Sequence, residues 1–385
     1  MNGTLALWFE PRSDPEKGFL RNISKNVRRP LAAAPIVRLH VNLWRDLDKA
    51  FNFLDVGFLL SEASGLGRLY LYLPAALATD AIVDLSGALK DADTLNAVFN
   101  EVAEIDGEAD DHFTVKTASG KRKIHHVDVQ REVQLTPMNS PERGQGTVIA
   151  LNSDLCARIA GDVDHNGEHY VRLRIFLRGD ARSLFTTEDQ TRGVGLSLLQ
   201  DVLETTEFRL NESRSYPPSM LERASRGRVR LASVHYFLIR SRDFQIGSQH
   251  ATFRKVRNLE DDIWDGYLAV GQPSSAGRRP RLGEGMIIYQ WREIAEKGKS
   301  LDDFIAYASF RTARPKIPAF LIAIVAIGGL GSAILNMTTN LIASLGSTFG
   351  WVPGPLLQNV IAAGVLAAFV GLPMAVSAVR NQPKR

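Results

Sequence analysis

Residues 36–43 read IVRLHVNL, and their reading decides the fold. Val37, Leu39, Val41 and Leu43 fall on one side of an extended chain, with Arg38, His40 and Asn42 on the other. Successive side chains of a strand point to opposite faces, so this alternation predicts a strand with one face in a core. Residues 67–73 repeat the pattern, with Leu69, Leu71 and Leu73 opposite Arg68, Tyr70 and Tyr72. Residues 168–177 do so again, with Val171, Leu173, Ile175 and Leu177 opposite Arg172 and Arg174. Residues 229–240 alternate little at their centre (Val234, Tyr236, Phe237, Leu238, Ile239) and predict a central strand covered on both faces.

Hairpins are expected about Ala118-Ser119-Gly120 and about Asp164-His165-Asn166-Gly167, where glycine supplies positive φ. Helical spacing predicts two short helices over 81–105 and further helices over 196–204, 259–268 and 300–310. Asn258 is the expected N-cap of the 259–268 helix, and Ser300 with Asp303 resembles a capping box for the 300–310 helix. The fold class expected is α+β: a strand-rich domain over residues 1–270, with a subdomain boundary in view near 105–150. A basic flexible linker follows at 271–285 (GQPSSAGRRPRLGEG), then a segment with an amphipathic helix at 286–316.

Residues 317–379 contain no Asp, Glu, Lys, Arg or His. Two apolar runs, 317–337 and 356–379, each reach the ~20 residues needed to span a ~30 Å hydrocarbon core. They predict a C-terminal two-helix transmembrane hairpin with a short tail at 380–385. Arg311, Arg314 and Lys316 precede it, Arg380, Lys384 and Arg385 follow it, and the loop between the runs carries no positive charge. By the positive-inside rule both termini are expected in the cytoplasm of a multi-pass inner-membrane protein. Arg278, Arg279 and Arg281, with Arg311, Arg314 and Lys316, would then meet the lipid bilayer surface. Small residues recur at four-residue spacing in Gly328/Ser332, Gly329/Ala333, Gly364/Ala368 and Ala367/Gly371. Such spacing lets helix backbones approach closely, and a homo-oligomer through the hairpin is expected.

A net charge of +4 is too small to imply nucleic acid, and no nucleic-acid binding is read. The single cysteine, Cys156, excludes an intramolecular disulfide, fits a reducing compartment, and reads as a structural thiol. No signal peptide is expected, because the first apolar stretch, residues 4–9, is short and charge follows it at once. Asp162-x-Asp164-x-Asn166-Gly167 matches the first half of a calcium loop, but the twelfth position is Leu173 where a bidentate Glu belongs, so the residues read as a turn. His125 and His126 point to opposite faces of an expected surface strand and cannot easily share an ion. The glycine pairs Gly65/Gly67, Gly144/Gly146 and Gly193/Gly195 complete no phosphate loop, and Glu260-Asp261-Asp262 reads as a solvated helix face. No metal, cofactor or catalytic constellation emerges.

The most suggestive soluble feature is the set of polar strand faces: Arg38 and His40, Arg68 with Tyr70 and Tyr72, and Arg172 with Arg174. On one sheet they would form a basic, aromatic surface suited to an anionic small-molecule ligand. The layout of a soluble domain before a short uncharged hairpin is similar to that of membrane effectors of bacterial antiviral defence. That layout implies a sensor that binds a ligand, a nucleotide signal among those in view, or a protein partner, and couples binding to the self-associating hairpin. The alternative expectation is a tethered scaffold that recruits a protein partner. A tethered enzyme is less favoured.

Overall fold

The computed structural model describes residues 4–12, 34–46, 51–140, 144–161, 167–190, 199–272, 283–315, 317–348, 350, 354–358, 360–361 and 364. The chain divides into two compact units, Met1–Asp189 with Leu203–Thr312, and Gln190–Val202 with Ala313–Arg385. The first unit is a strand-rich α+β domain.

Its largest sheet has ten strands. Along it run β16 (Phe253–Asn258), β17 (Met286–Ile294), β14 (Arg230–Ser241), β2 (Ile36–Asp46), β3 (Phe51–Ser61), β11 (Glu168–Phe176), β8 (Gly120–His125), β7 (His112–Thr117) and β6 (Ala103–Glu108). The short β5 (Ile82–Asp84) also pairs with β11. The sheet is mixed, because β14 lies parallel to β2 and β11 parallel to β8. A second sheet has the order β1 (Ala6–Pro11), β4 (Leu66–Leu73), β10 (Gly144–Leu151), β9 (Val133–Ser140). A third has the order β12 (Thr186–Gln190), β13 (Leu199–Leu210), β18 (Phe304–Pro315), β15 (Gln245–Gln249).

The alternation in the sequence becomes two unlike faces of the large sheet. Val37, Leu39, Val41 and Leu43 of β2, Val56 and Phe58 of β3, and Leu173 and Ile175 of β11 face Leu69, Leu71, Ile149 and Leu151 of the second sheet in the main core. Phe208, Phe304, Ala306, Ala308 and Phe310 of the third sheet join the same cluster. The opposite face is covered by α1 (Ala92–Phe99), α5 (Asp261–Ala269) and the 3₁₀ turn Ser86–Lys90, which bury Trp44, Phe53, Phe176 and Ile239 against Leu85, Leu89, Leu95, Trp264 and Leu268. Three more helices are α2 (Val129–Glu132), α3 (Ser153–Ala160) and α4 (Pro218–Arg226). The last packs Met220 and Ala224 on Trp8, Tyr72 and Val148 of the second sheet.

Several expectations are corrected. Residues 81–105 form β5, the 3₁₀ turn, α1 and the start of β6, and Asp91 caps α1 by accepting from the Thr94 amide at 2.9 Å. Most of residues 196–204 belongs to β13. The helix expected over 300–310 is strand β18, because Phe304, Ala306, Ala308 and Phe310 sit at period two and all are buried. With β17 paired to β14 and β16 and β18 paired to β15, residues 286–294 and 304–315 are strands, and no juxtamembrane helix lies in 286–315 among the described residues. Asn258 does not cap α5; Glu260 stands at that position. His125 is buried, not on a surface strand.

In the second unit α6 (Ile317–Thr348) runs as one helix through the residues 338–348 expected to form a loop. Among the described residues no helix is long and apolar enough to cross a membrane, and this overturns the multi-pass inner-membrane placement. Some side chains of α6 lie outside the described residues, so its described apolar stretch is shorter than the sequence run. Beyond Met337 the helix is diluted by Thr338, Thr339, Asn340, Ser344, Ser347 and Thr348. Leu321, Val325, Ile327, Leu330 and Met337 are exposed on it. The small residues expected to pack one span on the other are open as well. Ser332 and Ala333 are exposed on α6, and a Cβ at Gly328, Gly329 or Gly364 would meet open space. Among the described residues Gly328, Gly329, Ser332, Ala333 and Gly364 are uncovered in the single chain, and no helix long and apolar enough to span a membrane carries them. Residues 365–379 of the expected second run lie outside the described residues, with Ala367, Ala368 and Gly371. So do Arg278, Arg279, Arg281 and Lys316, the turn at Asp162, Asp164 and Asn166, and the pair Gly193/Gly195.

Candidate anion site

Strand register assembles the site. Across the large sheet, Arg292 of β17, His235 of β14, His40 of β2, Gly57 of β3 and Arg172 of β11 form one cross-strand row. The next row on the same face is Gln290, Phe237, Asn42, Asp55 and Arg174. This is the face covered by α1 and α5, so Asn42, Asp55, Arg172 and Arg174 are buried, whereas Arg292 at the β17 end stays exposed.

Arg174 has no exposed surface and is matched by its own carboxylate. Nε donates to Asp55 Oδ1 at 2.8 Å and Nη2 to Oδ2 at 3.1 Å. Nη1 donates to the carbonyls of Tyr267, Leu268 and Val270 at 3.1–3.2 Å, which fastens the end of α5 to the sheet. Asp55 also accepts from Trp44 Nε1 at 2.8 Å and from Tyr267 Oη at 2.7 Å.

Arg172, two residues along the same face, has no carboxylate of its own among the described residues. Nε donates to Tyr267 Oη at 2.7 Å and Nη1 to Tyr170 Oη at 2.8 Å. With the Asn42 amide turned to suit both its neighbours, its oxygen accepts from Nη2 at 3.3 Å. A guanidinium has five N–H groups, so among the described residues one on each Nη is left without an acceptor. Burial opposes the charge, but Tyr170, Tyr267 and Asp55 outweigh it and hold Arg172 protonated. The other buried arginines among the described residues each have an acid. Arg45 and Arg240 share Glu204, Arg122 has Glu101 and Glu168, and Arg174 has Asp55.

Gly57 makes this arrangement possible. A Cβ there would stand 2.2 Å from Tyr170 Oη, so only glycine lets the ring lie across β3 and reach Arg172. The same hydroxyl lies 3.4 Å from His40 Nδ1, and Phe99 of α1 meets the Tyr170 ring edge-on at 4.9 Å.

A cavity of about 30 Å³ opens between α1, α5 and this face, room for a water or two. His40, Asn42, Arg172, Arg257 and Trp264 are among its lining, and none of the lining residues is acidic. Trp264 is buried and its indole Nε1 has no hydrogen-bond partner among the described residues. Burial, then His235 and Arg172, push His40 well below its ordinary 6.5. Burial, then Arg292 and Arg38, push His235 down to about 4. Both imidazoles are therefore neutral at pH 7.

Of the residues expected from sequence, the structure brings Arg38, His40, Arg172 and Arg174 to one sheet face. Arg38 is at the rim, paired with Glu168 at 2.6 Å. Arg68, Tyr70 and Tyr72 are in the second sheet, apart from this face. There Tyr70 stacks on Trp8 with ring centroids 5.1 Å apart and donates to Glu10 at 2.6 Å, and Tyr72 is buried beneath α4. Arg311 and Arg314 lie on β18. Sequence reasoning missed Asp55, Gly57, Tyr170, Trp264 and Tyr267. One signal was available: two arginines at i and i+2 on a strand need an opposing acid once covered, and Asp55 is the only acid in residues 51–61.

Elsewhere the candidates resolve as structure. Cys156 is buried in α3, and burial pushes its thiol up to about 12. No cluster of three His, Cys, Asp or Glu side chains able to hold a metal occurs among the described residues. No family model matches the chain, and no curated protein is significantly similar to it.

Proposed function

We propose that the strand-rich domain is a ligand-binding sensor for an anion, either a small oxyanion or the anionic group of a larger molecule such as a nucleotide, received by Arg172. One observation carries the reading: a fully buried guanidinium without its own carboxylate faces a cavity whose lining includes donors and no acid. Tyr170, Tyr267 and Asp55 hold its charge without a direct salt bridge among the described residues, and an anion accepting from Arg172 would supply that pair. Trp264 Nε1, Arg257 and the neutral imidazole of His40, all in the cavity lining, are further groups able to donate to it. The cavity is small, so anything beyond a compact anion enters by parting α1 from α5. We further propose that occupancy is coupled to self-association of copies through α6. The exposed apolar side chains of that helix, and the open space around Gly328, Gly329 and Gly331, support this.

The test is thermal denaturation of the full chain with phosphate, sulfate, acetate or a nucleoside monophosphate, against chloride at constant ionic strength. A ligand at a hundred times its Kd stabilises by about 2.7 kcal/mol. At least one of these anions is expected to raise the midpoint in the wild type and not in Arg172→Met. No shift from any anion at 10 mM (roughly a hundredfold over a Kd of 0.1 mM), or an equal shift in the variant, overturns the proposal.

A further inference from the structure

A second cavity, of about 230 Å³, lies beside α4 and shares no lining residue with the Arg172 cavity. Leu7, Leu221 and Ala224 give it an apolar wall, and Asn211, Tyr216 and Arg228 a polar one. Its two arginines differ in commitment. Arg230 donates from Nε to the Ala34 carbonyl at 2.7 Å and pairs through Nη2 with Glu62 at 2.5 Å. Among the described residues Arg228 has only Asp302 as an ion-pair partner, at 3.4 Å, and the two side chains are 65% and 90% exposed. An exposed pair at that distance contributes little and exchanges easily.

Asn211 supplies the second donor. It holds a left-handed backbone, φ 60°, and its Oδ1 accepts from the Leu7 amide at 2.9 Å and from Tyr216 Oη at 3.2 Å. With the oxygen doubly engaged, the amide NH₂ has no acceptor among the described residues and is left to donate. Burial raises the Tyr216 hydroxyl far above its ordinary range, so it stays a donor to Asn211 and does not compete as an anion.

We propose that this cavity binds a small organic carboxylate. Its apolar body lies on Leu7, Leu221 and Ala224, and its carboxylate takes Arg228 from Asp302 and accepts from the Asn211 amide. The volume is below the ~300–1,000 Å³ of sites for drug-sized ligands, which limits the ligand to about the size of benzoate. The test uses benzoate, with benzyl alcohol as its neutral counterpart, in ligand-observed saturation-transfer NMR on the full chain. Benzoate should bind at least about tenfold more tightly than the alcohol, the value of a charge-assisted hydrogen bond. Arg228→Gln should weaken benzoate by about tenfold, and Asp302→Asn should tighten it severalfold by freeing Arg228. Both positions are exposed, so both variants should fold. Arg172→Met should leave the signal unchanged, which keeps this site distinct from the first. Absence of benzoate transfer, equal binding of the alcohol, indifference to Arg228→Gln, or loss of signal in Arg172→Met each overturns the proposal.

Discussion

Arg172 and Arg174 stand two residues apart on one strand face, both buried, and their replacement by methionine should have unlike consequences. Arg174→Met removes the partner of Asp55 and the donor to three carbonyls at the end of α5. Breaking a buried ion pair from one side costs about 3–5 kcal/mol, because the remaining charge keeps its desolvation penalty. Arg172→Met loses hydrogen bonds to Tyr170, Tyr267 and Asn42, each about 1.5–3 kcal/mol when the donor is charged. It also removes a buried cation that has no carboxylate of its own, whose desolvation costs several kcal/mol. The two terms are of similar size and opposite sign. The net change should lie within about 1 kcal/mol of zero. At about 2–4 °C per kcal/mol for a domain of this size, Arg174→Met should lower the midpoint by roughly 6–20 °C and Arg172→Met by less than about 4 °C. The assay is calorimetry of both variants in chloride buffer, free of the candidate anions. A loss in Arg172→Met equal to that in Arg174→Met would make Arg172 a structural keystone and refute the unmatched-charge argument.

Gly57→Ala places a methyl 2.2 Å from Tyr170 Oη, so the ring must move; overpacking of this kind costs about 1–3 kcal/mol, and anion-induced stabilisation should fall with it, as read by the same denaturation assay. Acid should weaken the fold through its histidines. In the unfolded chain they protonate near 6.5, whereas His235 and His125 in the fold titrate near 4 and 3. Stability is thus full above pH 6.5, falls as the pH drops toward 3, and loses nothing more from these two groups below that; His235→Gln with His125→Gln should flatten denaturation curves measured across pH 3–7. The Cys156 thiol should resist iodoacetamide in the native protein at pH 8 and react on unfolding, and native alkylation at the rate of free cysteine would contradict its burial. Gly329→Leu, which adds bulk where a Cβ meets open space, should reduce chemical crosslinking between copies, and unchanged crosslinked oligomers would remove α6 as the contact.

The period-two runs at 36–43, 67–73 and 168–177 located β2, β4 and β11 and sorted their side chains correctly by face. Alternation shows which residues share a face of their own strand, but it carries no information on which strands share a sheet. That is why Arg68, Tyr70 and Tyr72 were grouped with Arg38 and Arg172, although β4 pairs with β1 and β10 while β2 and β11 flank β3. The misread segment at 300–310 has a similar origin. In FIAYASF, small alanines lie between aromatics, so helical and strand spacings both find apolar residues, and only pairing with β13 and β15 decides between them.

The polar face of a strand also reads as solvated when nothing local announces a cover. Residues 259–268 were legible as an amphipathic helix with Trp264 and Tyr267 on its apolar side, but the spacing does not say what that side packs against. It packs on the arginine face, and this changes the energetic meaning of both arginines. In water Arg172 and Arg174 would be two unremarkable surface cations. Under α5 their equality breaks, because Asp55 is a single carboxylate and its geometry serves Arg174 directly, reaching Arg172 only through the Tyr267 hydroxyl. A fold selected for stability alone would gain by a second acid or an apolar residue at position 172. The unmatched cation beside an acid-free cavity is the observation on which the proposed ligand rests, and it arises from tertiary covering of a strand whose own sequence pattern is ordinary.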